Sequence, residues 1–182
     1  MDVAEGDWFF QAVKYVFERG IMVGTSDTTF EPQSSVTRGQ VVQMLYNLEG
    51  QPAVTGEDGF TDVQSKDWWY NAVVWASQNE VVSGYGDGTF QPKRNISRQE
   101  FAQMLFNYAK FKGYDLTATG DLTKFPDGGD VAGWAETAMQ WANGNELING
   151  HADTGKLDPL GTTVRAQAAS ILTKFHQTFV NP

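Results

Sequence analysis

Residues 60–100 read FTDVQSKDWWYNAVVWASQNEVVSGYGDGTFQPKRNISRQE, and nearly every feature of this stretch occurs again on either side of it. Asp2 and Arg38 stand 60 residues ahead of Asp62 and Arg98, and Trp8, Gly24 and Pro32 keep the same offset from Trp68, Gly84 and Pro92. Further along, Asp127, Trp134, Gly150, Pro159 and Arg165 preserve the order, with an offset that grows from 65 to 67. A period of this length marks a repeat protein, in which each unit buries its apolar surface against its neighbours. The chain divides into units at 1–50, 58–112 and 122–178, expected to form one compact body.

Within the middle unit, Trp68, Ala72, Trp75 and Ala76 fall at i, i+4, i+7 and i+8, the spacing of one buried helical face. Ser65 or Asp67 can cap that helix. Asn79 tolerates a left-handed ending, as do Gly20 in the first unit and Gly144 or Asn145 in the third. The run Ser83-Gly84-Tyr85-Gly86-Asp87-Gly88-Thr89-Phe90 predicts a tight loop, pinned to the core by Phe90 and Pro92. Ser97-Arg98-Gln99-Glu100 then opens a second helix with a capping box, repeated by Thr37 and Gln40. Its buried stripe is Phe101, Ala102, Met104, Leu105 and Tyr108. The third unit has Val164 where the cap belongs, a loss of about 0.5 to 2 kcal/mol, so this helix is expected to fray or to borrow Thr163. Segments 49–59 and 110–124 read as surface linkers. The fold class is all-α, mainly helical with long loops, in three helix-loop-helix repeats.

With 182 residues, 41% of them hydrophobic and 13% aromatic, the chain can bury a real core. A net charge of −9 and the lack of any basic run argue against a nucleic-acid partner. Cysteine is absent, which excludes disulfides and thiolate zinc sites. No apolar run approaches the roughly 18 residues of a membrane span, so no membrane insertion is expected. Residues 1–20 lack the pattern of an export signal. Since Met1 abuts the first unit, a fragment cut from a longer parent polypeptide with other domains is expected. Asp87 and its neighbours do not match an EF-hand, and His151 and His176 stand alone, so neither metal nor cofactor is expected.

The ordered set Phe60-Thr61-Asp62-Val63, Gly84-Tyr85-Gly86-Asp87-Gly88-Thr89-Phe90 and Ser97-Arg98-Gln99-Glu100, present three times over most of the chain, resembles the S-layer homology domain in triplicate. The resemblance implies a pseudo-threefold spindle around a central three-helix bundle. It implies a non-catalytic module at the bacterial cell surface, in the cell wall or S-layer, that holds a secondary cell-wall polysaccharide in grooves between repeats, the glycan often carrying pyruvate ketals. The arginine of the family motif carries over to Arg38, Arg98 and Arg165 as a principal ligand contact. The first and third loops depart from the pattern, which makes unequal grooves an expectation.

The residue types suit such a ligand. Guanidinium meets a carboxylate with paired hydrogen bonds, and an arginine one position inside a helix start is expected to be exposed beside free N–H donors. Tyr85 or an exposed tryptophan can cover the apolar face of a sugar, while Gly24, Gly84 and Gly150 let backbone N–H groups come close. Trp8, Trp68 and Trp134 read first as core residues and second as ligand platforms. Asp2, Asp62 and Asp127 read as turn caps or braces to the neighbouring repeat, with a secondary role of holding an arginine; Gln40, Glu100 and Gln167 read chiefly as caps. The competing readings are a protein-interaction or self-assembly module, a peptidoglycan binder, and a glycosidase using Asp62, Asp87 and Glu100, against which the repetition argues because an asymmetric carboxylate pair is needed.

Overall fold

The computed structural model describes residues 2–57 and 59–181, so the expected repeat boundaries at residues 1 and 58 lie outside the described residues. Each repeat supplies two α-helices: α1 (Phe10–Glu18) and α2 (Arg38–Leu48), α3 (Tyr70–Gln78) and α4 (Arg98–Lys112), α5 (Glu136–Gly144) and α6 (Arg165–Phe175). Short 3-10 turns at Leu122–Lys124, Gly128–Asp130 and Gly133–Ala135 lead into α5, and a π-turn, His176–Val180, extends α6. Among the described residues the only β-type pairings are isolated bridges.

The second helices follow the sequence reading closely. Thr37 and Ser97 accept from the N–H of Gln40 and Glu100, whose side chains accept in return from the N–H of the cap. Phe101, Ala102, Met104, Leu105 and Tyr108 are all buried. At Val164 half of the box survives: Gln167 accepts from the Val164 N–H at 3.1 Å. The expected loan from Thr163 does not occur, since its hydroxyl is buried without a hydrogen-bond partner. The start of α6 is held instead by the first repeat, whose Ser34 and Pro32 carbonyls accept from the N–H groups of Arg165 and Ala166.

The first helices differ from expectation at both ends. They begin at Phe10, Tyr70 and Glu136, one turn inside the predicted start, and none has a side-chain cap. Asp67 serves the preceding turn, accepting from the Gln64 N–H at 2.9 Å. Gly20 is left-handed as expected, but the residues in that conformation after α3 and α5 are Glu80 and Glu146, with φ of 56° and 57°, and not Asn79, Gly144 or Asn145. Asn79 and Asn145 instead turn their side-chain amides back onto the carbonyls of Trp75 and Trp141.

Closure runs in a cycle. α1 packs on α6, α3 on α2 and α5 on α4, so the first helix of every repeat covers the second helix of another. Bridges link Thr37 to Asn95, Ser97 to Thr162 and Ser35 to Val164, joining each repeat to both others. Among the second helices, α2 lies against α4, and α6 is tied in through Phe175, whose ring sits 5.7 Å from that of Tyr108. The linkers do more than cover the surface. Trp141 donates to the Asp115 carbonyl, Tyr46 to the Pro52 carbonyl, and Leu122 is buried, so both segments are strapped along the helices.

Candidate functional site

Arg38, Arg98 and Arg165 are each only 5% exposed, which overturns the expectation of an open helix start. Each guanidinium reaches into the loop of the next repeat. Arg38 Nε donates to the Phe90 carbonyl (2.9 Å) and Nη2 to the Ser83 carbonyl (3.3 Å). Arg98 makes the same pair with Leu157 (2.8 Å) and Asn149 (2.6 Å). Arg165 closes the cycle on the first repeat through Phe30 and Val23, both at 2.6 Å. Burial lowers the proton affinity of all three.

The N–H donors expected to stand free beside them are taken. Those of Arg38 and Gly39 donate to Arg94 and Pro92, and those of Arg98 and Gln99 to Gly161 and Pro159. The starts of α2 and α4 are therefore joints between repeats, with these backbone donors already in use.

The aspartates grip the same loops from the other side. Asp62 takes the N–H groups of Phe90 and Gln91 on its two oxygens, each at 2.8 Å. Asp2 does so with Phe30 and Glu31, and Asp127 with Leu157 and Asp158. These braces lie within a repeat rather than between repeats. The second residue of each gripped pair is left-handed, with φ of 54° at Glu31, 57° at Gln91 and 52° at Asp158, a strained geometry for a non-glycine residue that the charge-assisted bonds offset. The Phe30 N–H, followed by burial acting in the opposite sense and the Glu31 N–H, sets the Asp2 carboxyl below its usual range. For Asp127 burial pushes upward, and the donors at Leu157 and Asp158 prevail to lower it.

The glycines earn their place by close approach. A Cβ on Gly24 would strike the carbonyls of Ser26 and Thr29; on Gly84 it would strike the Phe60 ring and the Thr89 carbonyl, and on Gly150 the Phe125 ring and the Gly155 carbonyl.

The tryptophans reverse the first reading. Trp8 is 68% exposed and Trp68 and Trp134 are 58% exposed, while the core position belongs to the next residue, Phe9, Trp69 or Ala135. Trp8 and Trp68 stand edge-on against those buried neighbours, with ring centroids 5.2 and 4.8 Å apart.

A cavity of about 900 Å³ brings four of the candidate residues together: Trp8 from the first repeat, Arg98 from the second, and Gly150 and Gln167 from the third. Gln11, Tyr15 and Lys174 also line it. They carry no local signal in the sequence, because they meet only once α1 lies on α6.

The three arginines differ in what remains to them. Arg38 Nη1 donates to Glu100 at 3.4 Å, and its guanidinium lies over the rings of Phe90 and Tyr85 at 4.7 and 4.9 Å. Glu100 also accepts from Tyr85, Arg94 and Ser97. Arg165 lies over the Phe30 ring at 4.4 Å. Among the described residues, Arg98 and Arg165 form no salt bridge, and the Nη1 of each makes no hydrogen bond. Arg38 thus has a carboxylate partner in Glu100, where the equivalent positions of the other repeats are Gln40 and Gln167. No group of three His, Asp or Glu able to hold a metal occurs among the described residues, and no helix among them is long and apolar enough to cross a membrane.

A family model described as the S-layer homology domain matches residues 2–42 and 59–102. An endoglucanase of Bacillus sp. (strain KSM-635) is 31% identical over 171 residues, covering 94% of this chain and 18% of that protein. The Surface-layer 125 kDa protein of Lysinibacillus sphaericus is 26% identical across 90% of the chain and 14% of its own length. An S-layer protein of Bacillus licheniformis is 27% identical across 100% of the chain and 20% of its own length. The chain spans a fifth or less of each of these relatives.

Proposed function

The chain belongs to the S-layer homology family, and we propose that it is a non-catalytic module that anchors a larger polypeptide to the outside of a bacterial cell by holding a secondary cell-wall polysaccharide. The relatives support this reading, because proteins with different names, an endoglucanase and two surface-layer proteins, share this stretch over a small part of their length. The observation that carries it is the cavity lined together by exposed Trp8, Arg98, Gln167 and Gly150. An indole face offers an apolar platform for a sugar ring, and the Nη1 edge of Arg98 retains donors for an acid group such as a pyruvate ketal. At Arg38 a ligand acid must compete with Glu100, and of the two arginines without such a partner it is Arg98 that lines the cavity with Trp8, so the cavity beside Arg98 is the primary site.

Sedimentation with purified wall sacculi tests the proposal. The chain is expected to pellet with intact sacculi and to remain in solution once the secondary polymer is extracted. Trp8→Ala should weaken binding roughly three- to tenfold, or about 1 kcal/mol, while Tm moves by no more than about 2 °C, since the ring is exposed. Unchanged pelleting after extraction would transfer the role to peptidoglycan or a protein partner, and release of reducing sugar would make the module an enzyme.

A further inference from the structure

The carbonyl just ahead of each loop glycine receives an arginine from another repeat. Arg165 Nη2 donates to Val23, Arg38 Nη2 to Ser83 and Arg98 Nη2 to Asn149, at 2.6, 3.3 and 2.6 Å. The third repeat alone places asparagine there, so the carbonyl that Arg98 meets belongs to an Asn-Gly pair, Asn149-Gly150. Such a pair can rearrange without help, because glycine puts no Cβ in the way when its peptide nitrogen approaches the preceding side-chain amide.

The surroundings leave both reacting groups accessible. Asn149 is exposed and lies outside any helix, and among the described residues the Gly150 N–H makes no hydrogen bond. Asn149 Oδ1 accepts from the Asn143 amide at 3.0 Å, a donor placed where negative charge collects as Cγ is attacked. The other Asn-Gly pair of the sequence, Asn143-Gly144, closes α5, where the helical backbone holds the Gly144 nitrogen in the last turn.

We propose that Asn149 is a site of spontaneous modification and that its product closes the glycan cavity beside it. The Gly150 nitrogen gives up its proton and bonds to Asn149 Cγ, Nδ2 departs with a proton as ammonia, and a cyclic succinimide remains. Water then opens the ring. Where it breaks the bond between the Gly150 nitrogen and the main-chain carbonyl carbon of residue 149, the chain continues through Cγ as isoaspartate and that carbonyl carbon becomes a free carboxylate. The neutral acceptor of Arg98 is thereby turned into an anion in the same place, and a buried guanidinium that forms no salt bridge acquires one. Arg98 then stands as Arg38 does with Glu100, and an acid group of the glycan has to displace an internal carboxylate. The closing of the cavity rests on the anchoring role proposed above; the chemistry at Asn149 does not.

Ageing the whole chain in warm, mildly alkaline buffer tests this. Peptide mapping should find a gain of about 1 Da at Asn149, with isoaspartate identified by electron-transfer fragmentation, and Asn143 unchanged. In chain isotopically labelled at asparagine, the new carboxylate should titrate below the range it shows in a free peptide, because the Arg98 charge favours its ionised form. The isoaspartate form, separated by ion exchange, should bind sacculi roughly tenfold more weakly than fresh chain. Asn149→Ser keeps the backbone carbonyl, as Ser83 does, and removes the amide that reacts; whatever its affinity when fresh, it should be the same after ageing. An unmodified Asn149, equal modification of Asn143, a carboxylate that titrates as in a free peptide, or an isoaspartate form that binds as fresh chain does would each overturn the proposal. Failure of fresh chain to pellet would strike the anchoring role and with it the closing of the cavity, while the mass and titration readouts would still decide the modification.

Discussion

Glu100 gathers more donors than any other carboxylate in the molecule's described part: the N–H and hydroxyl of Ser97, the Tyr85 hydroxyl, and the guanidinium groups of Arg94 and Arg38. Burial pushes its carboxyl upward, but the bonds from Ser97 and Tyr85 and the charge of Arg94 outweigh this and leave it below the usual value. A carboxylate whose folded value lies below its unfolded one contributes stability that is present above the unfolded value of about 4.5 and lost as pH falls through the folded one. Glu100→Gln should therefore lower Tm at pH 7, where the lost charge-assisted bonds are worth roughly 1 to 3 kcal/mol, and the gap to the parent should narrow between pH 5 and pH 3. Thermal melts across that range check it, and a gap independent of pH would mean the charge of Glu100 does nothing for the fold. The capping role of Glu100 was legible in Ser97-Arg98-Gln99-Glu100, because a capping box is a local pattern. The destination of the arginines was not, because the carbonyls they meet lie 52, 59 and 135 residues away. Exposure of the tryptophans was hidden for a related reason: in the doublets Trp8-Phe9 and Trp68-Trp69 the helix starts later than the spacing suggests, which rotates the second residue into the core.

At the scale of the elements, the second helices were readable because their caps and stripes are set within a dozen residues. The first helices were readable in Ala72, Trp75 and Ala76, which are buried, and not in Trp68 or in their ends, since Glu80 and Glu146 take a left-handed turn that nothing in their own chemistry requires. α6 shows what a missing cap costs when a neighbour compensates. The N–H groups of Arg165 and Ala166 are held by Ser34 and Pro32, and the Gln167 side chain accepts from Val164, but valine offers no acceptor for the Gln167 N–H. Val164→Thr supplies that acceptor in nearly the same shape, at a position that is already extended with φ −89° and ψ 160°. The change should stabilise the protein by about 0.5 to 1.5 kcal/mol, a rise of roughly 1 to 6 °C in Tm, with slower amide exchange at Gln167. An unchanged Tm together with unchanged exchange would show that the contacts with the first repeat already hold this helix start fully.

For the whole molecule, the repeats announced that three units share a core, but their cyclic order could not be read from any one of them. Each loop is gripped from within by the aspartate of its own repeat and from outside by the arginine of the preceding one, and Arg165 returns to the first repeat across the ends of the chain. Cutting the chain after residue 112 removes the carbonyls that Arg98 meets at Leu157 and Asn149, and it removes Arg165 from Phe30 and Val23. It also strips α1 and α4 of the helices that cover them, α6 and α5. Arg98 then meets water in place of its carbonyl partners, and uncovering two apolar faces removes burial on the scale of the roughly 5 to 15 kcal/mol that holds a typical domain together. Residues 1–112 should consequently show no cooperative thermal transition, whereas the full chain should unfold in one step, as calorimetry and near-ultraviolet circular dichroism can establish. A truncated chain that melts cooperatively within about 10 °C of the parent would mean that the ring of contacts is dispensable and that each repeat stands on its own core. The same closure bears on binding, because the cavity beside Arg98 draws a residue from every repeat, so the proposed glycan site exists only once the cycle is complete.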